Sequence, residues 1–184
     1  MAEQFSELTD SLVRFIEKQP VYSTGTAGAD GRVNVSPKGG DSLRVLSANR
    51  LVWQNLTGSG NETAAHLLGN NRMTLMFCAF DKKPLILRVY GTATVIHPRD
   101  PQWQSYVDAF PQNLGTRQFF VMDIDLVQTS CGFAVPRMDF IAHRDTLNTW
   151  TEKKGESGIS DYWQEVNRLS IDGFDTGIVD GHAE

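Results

Sequence analysis

Between Val21 and Asn55 the chain offers a succession of short strand-forming segments, and the turns that separate them are short. Val21–Thr24 is followed by a turn at Ala29-Asp30-Gly31, and Arg32–Ser36 then alternates polar and apolar residues as a hairpin partner should. After Pro37-Lys38-Gly39-Gly40 come Leu43–Leu46 and Leu51–Asn55, divided by Ala48-Asn49-Arg50. A parallel crossover needs a dozen or more residues, whereas hairpins need only a few. The sheet is therefore predicted to be mainly antiparallel.

Further strands are expected at Met73–Phe80, buried on both faces, and at Leu85–Ile96 and Phe119–Val127. Phe5, Leu8, Leu12, Phe15 and Ile16 recur at helical spacing, which predicts an amphipathic helix closed by Pro20. A short helix is expected over Asn61–Leu68 with Asn61 as its N-cap, and another from Asp100, which carries Trp103, Tyr106, Val107 and Phe110. Helices near Arg144–Lys153 and Asp161–Leu169, around a linker-like Glu152–Ser160, form a tail. The expected fold is mainly β, a closed or partly closed barrel with short peripheral helices, in a single domain spanning 1–184 with a helical tail from about 144.

A formal net charge of −5 and scattered lysines and arginines argue against nucleic acid or anionic membrane as partner. Glu3, Glu7 and Asp10 interrupt the N-terminal apolar residues, so no signal peptide is read there, and no apolar stretch is long enough to cross a bilayer. Cys78 and Cys131 form no CxxC pair. A cytoplasmic protein is expected. His66, His97, His143 and His182 show no metal-binding spacing, and His66 and His97 read as surface or capping residues. No GxSxG elbow anchors a hydrolase triad. Asp123 and Asp125 share a strand face that solvation explains at least as well as a carboxylate pair.

The informative stretch is Thr57-Gly58-Ser59-Gly60-Asn61-Glu62-Thr63, which leads from a strand into a helix. Glycines let backbone N–H groups converge, and the helix start adds positive potential, the arrangement that holds a phosphate. Ser59, Asn61 and Thr63 would add side-chain donors, and Lys38 would neutralise charge. An ordinary loop-to-helix junction accounts for the same residues. Arg88 stands in an otherwise apolar strand, where it either points to solvent or faces a bound anion. Trp53, Gln54 and Asn55 set an aromatic face beside two amides, which suits a flavin ring and strand packing alike.

Arg32–Gly39, Leu51–Asn55, the run from Gly58 through Phe77, and Leu87–Ala93, together with Ser130–Pro136 and Asn167–Gly173, resemble in order the pyridoxamine 5′-phosphate oxidase-like family of flavin-binding split barrels. The resemblance implies a six-stranded antiparallel split barrel that dimerises, with flavin mononucleotide (FMN) at the subunit interface. It implies Lys38, Asn61, Thr63 and Arg88 near the phosphate, and Gln54 and Asn55 at the sugar, phosphate or ring. Glu62 and Thr63 stand where the oxidases carry an arginine and a lysine, and the tail lacks their substrate signature. Pyridoxamine phosphate oxidation is thus not the expected activity. The expectation is a flavin-dependent oxidoreductase acting on an unspecified small molecule; the alternatives are a non-catalytic flavin or phosphate-ligand module, or a barrel holding deazaflavin or haem. A homodimer is expected on physical grounds too, because a small barrel offers only a shallow groove that a second subunit would deepen.

Overall fold

The computed structural model describes residues 2–179. Among them run eight strands: β1 (Glu3–Phe5), β2 (Val21–Thr26), β3 (Asn34–Gly39), β4 (Leu43–Ser47), β5 (Arg50–Leu56), β6 (Arg72–Cys78), β7 (Ile86–Ile96) and β8 (Thr116–Ser130). They form one antiparallel sheet in the order β3-β2-β6-β7-β8-β5-β4, with β1 paired to β8. The split-barrel expectation holds, with eight strands instead of six. The difference arises at β8, whose 15 residues pair with β5 along the first half and with β1 near the end.

The sheet curls until its two edges meet. β3 and β4, at opposite ends of the strand order, are consecutive in the chain, and no ladder joins them among the described residues. Side chains bridge the gap instead: the Tyr22 hydroxyl lies 3.3 Å from that of Ser42, and the Lys38 ammonium lies 5.5 Å from the centroid of the Trp53 ring. Inside, Trp53 packs on Phe120 with ring centroids 4.5 Å apart, and Tyr22 stacks on Phe77. Leu51, Leu75, Leu87, Val89 and Met122 belong to this core, as do Leu12 and Ile16 near the N-terminus. Each such side chain contributes about 1.5–3 kcal/mol on burial. β6 alternates, with Met73, Leu75 and Phe77 inward and Thr74 and Met76 half-buried, so the expectation of burial on both faces is corrected. It is β5 that is buried on both faces, because Val52 packs outward with Phe119 and Val121 beneath Phe110.

Among the described residues four helices decorate the sheet. α1 (Asp10–Glu17) starts later than its periodicity predicted, because the Thr9 hydroxyl caps it and Phe5 belongs to β1. α2 (Glu62–Gly69) follows β5 as expected. α3 is reduced to Gln104–Val107, since Asp100 spends its carboxylate on the His97 backbone N–H. α4 (Thr146–Val166) is two helices joined at Gly155, whose backbone is non-helical with φ +67°, so the expected pair of tail helices is present and the expected linker shrinks to that break.

Candidate functional site

The inner face of the barrel changes character toward the C-terminal end of β5. Leu51 and Trp53 oppose Met122 and Phe120, but the next inward pair is Asn55 and Gln118, joined by a 3.0 Å bond from Asn55 Nδ2 to Gln118 Oε1. Beyond it the register slips: Asn55 faces Gln118 while Leu56 faces Thr116, leaving Arg117 as the extra residue of a β-bulge. Bulges re-aim side chains. Here Arg117 Nη1 donates to the Gly60 carbonyl at 3.0 Å and to Asn167 Oδ1 at 2.7 Å.

Asn167 follows directly on α4, and its Nδ2 donates to the Gly58 carbonyl at 2.9 Å. One turn earlier, Trp163 Nε1 donates to the Thr57 hydroxyl at 2.8 Å. The loop between β5 and α2 is thus held from outside by the C-terminal segment and from inside by β8.

Positive charge collects at this end. Arg117 is 3% exposed, and burial pulls its pKa down to about 10 against the opposing pull of Glu62. Lys38 is lowered to about 8, first by burial and then by Arg117, with Glu62 again opposing. Glu62 folds back over Gly60, where a Cβ would collide with its carboxylate, and accepts a bond from the Ile171 N–H at 3.3 Å. Among the described residues no carboxylate stands within ion-pair distance of Lys38 or Arg117.

Several buried polar atoms here have no partner among the described residues: Trp53 Nε1, both amide atoms of Asn61, Arg117 Nε and Gln118 Nε2. Asn61 occupies the N-cap position of α2, yet its side chain makes no capping bond. Leaving a buried donor unsatisfied costs about 1–3 kcal/mol. All but one of these atoms are donors, so the cluster matches a molecule rich in acceptors.

Of the residues singled out from sequence, Lys38, Asn55 and Asn61 lie in or beside this cluster. Gln54 lies on the opposite face of β5 and spends its amide donors on the Pro111 carbonyl at 3.1 Å and the Thr116 hydroxyl at 2.8 Å. Thr63 is buried and accepts from Asn34 Nδ2 at 3.1 Å. Ser59 is exposed. Arg88 shares a row with Met76 and Gln128 on the outer face and donates to the Ser130 hydroxyl at 3.2 Å, so within one chain it does not converge with Lys38.

Sequence reasoning missed Arg117, Gln118 and Asn167. The signal for the first two was a pair of polar residues opening the apolar run Phe119–Met122, the same logic that singled out Arg88. His66 and His97, expected as surface or capping residues, are 2% and 6% exposed; His66 Nδ1 lies 3.1 Å from the Thr26 hydroxyl, because α2 packs against β2. Asp123 is solvent-facing and pairs with Arg50. Among the described residues no three metal-ligating side chains cluster, and no helix is long and apolar enough to cross a membrane.

Comparison with known proteins gives a consistent assignment. The pyridoxamine 5′-phosphate oxidase family profile matches residues 8–131. The chain belongs to the pyridoxamine 5′-phosphate oxidase family. The family protein ustO of Aspergillus flavus is 35% identical over 190 residues, which cover 92% of this chain and 76% of that protein. Among solved structures, a candidate pyridoxamine 5′-phosphate oxidase from Lactobacillus delbrueckii matches with a TM-score of 0.54 and 23% identity, over 67% of this chain and 94% of the other. HupZ of Group A Streptococcus matches with a TM-score of 0.52 and 16% identity, over 65% and 91%. At those identities the likeness is one of fold. The family match contains Lys38, Asn55, Asn61, Arg117 and Gln118, whereas α4 and Asn167 lie beyond it.

Proposed function

We propose that the chain binds FMN at the β5–α2 junction and serves as a flavin-dependent oxidoreductase toward a small molecule. The observation that carries this reading is the set of buried, unpartnered donors around Asn61, Trp53 and Gln118 in a chain of this family. A flavin nucleotide presents ring carbonyls and nitrogens, sugar hydroxyls and a phosphate, which is the acceptor-rich surface such donors suit. Lys38 and Asn61 would serve the phosphate, Asn55 and Gln118 the sugar or ring, and the Trp53 face would exclude water. Thr63 braces the start of α2, and Arg88, on the outer face, could reach a ligand only at a subunit interface. Bound flavin would supply the exchange of hydride or electrons, so the chain need only position and tune it.

A homodimer accompanies the proposal. Phe133, Phe140 and Ile141 are 83%, 58% and 94% exposed on one segment after β8, an apolar display that supports a subunit contact there. A cavity of about 570 Å³ opens beside that segment, between Tyr22, Ser42 and Phe140, and is of small-molecule size.

The test is an absorption spectrum of the purified protein before and after titration with FMN. Paired near-ultraviolet and blue bands, or stoichiometric uptake, support flavin binding, and bleaching by reduced nicotinamide supports the oxidoreductase. A colourless protein that ignores flavin overturns the reading; uptake without reduction by any donor leaves binding and removes the oxidoreductase.

A further inference from the structure

A second cavity, of about 1320 Å³, is bounded by α1, by the turn between β6 and β7, and by the segment after β8. It shares no lining residue with the β5–α2 junction. The two lie at opposite ends of β2: Val21 borders the cavity, whereas Thr26 meets His66 of α2. Five cationic side chains line the cavity, Arg14 and Lys18 at α1, Lys82 and Lys83 in the turn, and Arg137 after β8. Two carboxylates, Asp81 and Asp139, stand among them, so the sign of charge is locally reversed in a chain of formal net charge −5. Among the described residues none of the five cations enters an ion pair. Asp81 spends one carboxylate oxygen on the Lys83 backbone N–H at 2.9 Å. Between the charges the wall is apolar, built from the half-buried Phe15, Phe80 and Leu85 and from the exposed Phe140.

We infer that this cavity binds a small molecule that joins an aromatic or aliphatic body to at least two anionic groups. A cleft with apolar, low-dielectric walls focuses the field of its charges on an anion that enters, and the anion relieves their mutual repulsion. The cations come from three elements well separated in the chain, so one compact anion would leave most of them unmet. Phe15, Phe80 and Leu85 ask in turn for apolar surface, which an inorganic ion lacks. Small-molecule sites usually measure about 300–1,000 Å³, and this cavity exceeds that range, which suits a ligand long enough to reach from α1 to the turn and to Arg137. The inference stands apart from the flavin reading, since it uses none of the residues assigned to that ligand.

The test uses the full chain and two double variants. The dye bis-ANS, an aromatic body bearing two sulfonates, is titrated by calorimetry with and without FMN, beside the neutral dye N-phenylnaphthylamine. The wild type should bind bis-ANS saturably, and roughly tenfold or more tightly than the neutral dye. Lys82→Gln with Lys83→Gln, both on an exposed turn, should weaken bis-ANS roughly tenfold, the loss of two rim charges, and leave FMN uptake and the melting temperature unchanged. Lys153→Gln with Arg168→Gln removes the same charge elsewhere and should leave bis-ANS within about twofold of wild type, because distant exposed charges are screened. Equal weakening by the two double variants, or equal affinity for the two dyes, overturns the inference. Displacement of bis-ANS by FMN overturns it too, by putting the dye in the flavin site. Affinity that falls as protein concentration rises means that a second copy covers the cavity, with the same consequence. A protein that ignores FMN and still binds bis-ANS through Lys82 and Lys83 fails the flavin reading alone; one that takes up FMN and shows no preference for the dianion fails this inference alone.

Discussion

Asn167 Oδ1 accepts a 2.7 Å hydrogen bond from the guanidinium of Arg117, and this contact joins the C-terminal segment to the inner wall of the barrel. Asn167 is fully buried, and its amide also donates to the Gly58 carbonyl. Asn167→Ala removes both bonds and leaves a buried cation with one partner fewer. A hydrogen bond to a charged group contributes about 1.5–3 kcal/mol. For a chain of this size that predicts a melting temperature lower by roughly 4–8 °C, measured by thermal denaturation, with Asn167→Asp recovering only the part that belongs to the Arg117 bond, since a carboxylate cannot donate to Gly58.

Lys38 gives the unliganded protein a specific pH signature. Its pKa falls from 10.5 to about 8 on folding, through burial and the neighbouring Arg117. Between those values the unfolded chain holds the proton that the folded chain has released, so stability should rise with pH from about 8 to about 10.5. Lys38→Met should abolish this increment; the pH dependence of the urea midpoint, wild type minus variant, isolates it from other titrations. An anion bound beside Lys38 favours its charged form. Affinity for inorganic phosphate should accordingly decline as pH rises through 8, with net proton uptake on binding at pH 8 and above.

Local pattern carried most of the fold. Tight turns between Val21 and Asn55 forced antiparallel pairing, and both the loop at Thr57–Asn61 and α2 were legible from their glycines and residue pattern, although Asn61 makes no capping bond. Lys38, Asn55 and Asn61 could be picked out because each is a polar residue at a conspicuous local position. Arg117 and Asn167 could not, since they are 50 residues apart and their meaning lies in one contact. The bulge that aims Arg117 is likewise a property of the register between β5 and β8. Arg88 shows the converse: its local signal equals that of Arg117, but strand parity sends it to the outer face.

The register slip between β7 and β8 makes a sharper prediction at Gly91. A Cβ there would fall on the backbone carbonyl of Asp123 and lie 3.1 Å from Ile124 Cα, so relief requires the two strands to separate. Gly91→Ala should cost on the order of 3 kcal/mol or more, as overpacking against backbone does. Gly58→Ala, whose Cβ meets nothing within 4 Å, is the matched control and should stay within about 0.5 kcal/mol of wild type. Denaturant midpoints of the two variants decide the matter; equal midpoints would mean that β7 and β8 do not approach so closely.

Asp172 fastens the last described segment to the turn between β2 and β3. Its carboxylate accepts from the backbone N–H of Arg32 at 2.7 Å and from the Arg32 guanidinium. The backbone bond first, and the guanidinium after it, hold its pKa below the ordinary carboxylate value. A depressed carboxyl contributes its stabilisation above the unfolded pKa of about 3.9 and loses it as pH falls through the folded value. The contact therefore stays intact at neutral pH and should release the tail only in acid. Asp172→Asn removes the charge at any pH, so at pH 7 limited proteolysis should cut the variant between Arg168 and Val179 well before the wild type, with the fragments read by mass spectrometry. The wild type should show the same cuts only under pepsin below about pH 4. Cleavage of the variant at the wild-type rate would place the hold on the tail elsewhere, at Thr176 Oγ1, which donates to the Asn167 carbonyl at 2.7 Å.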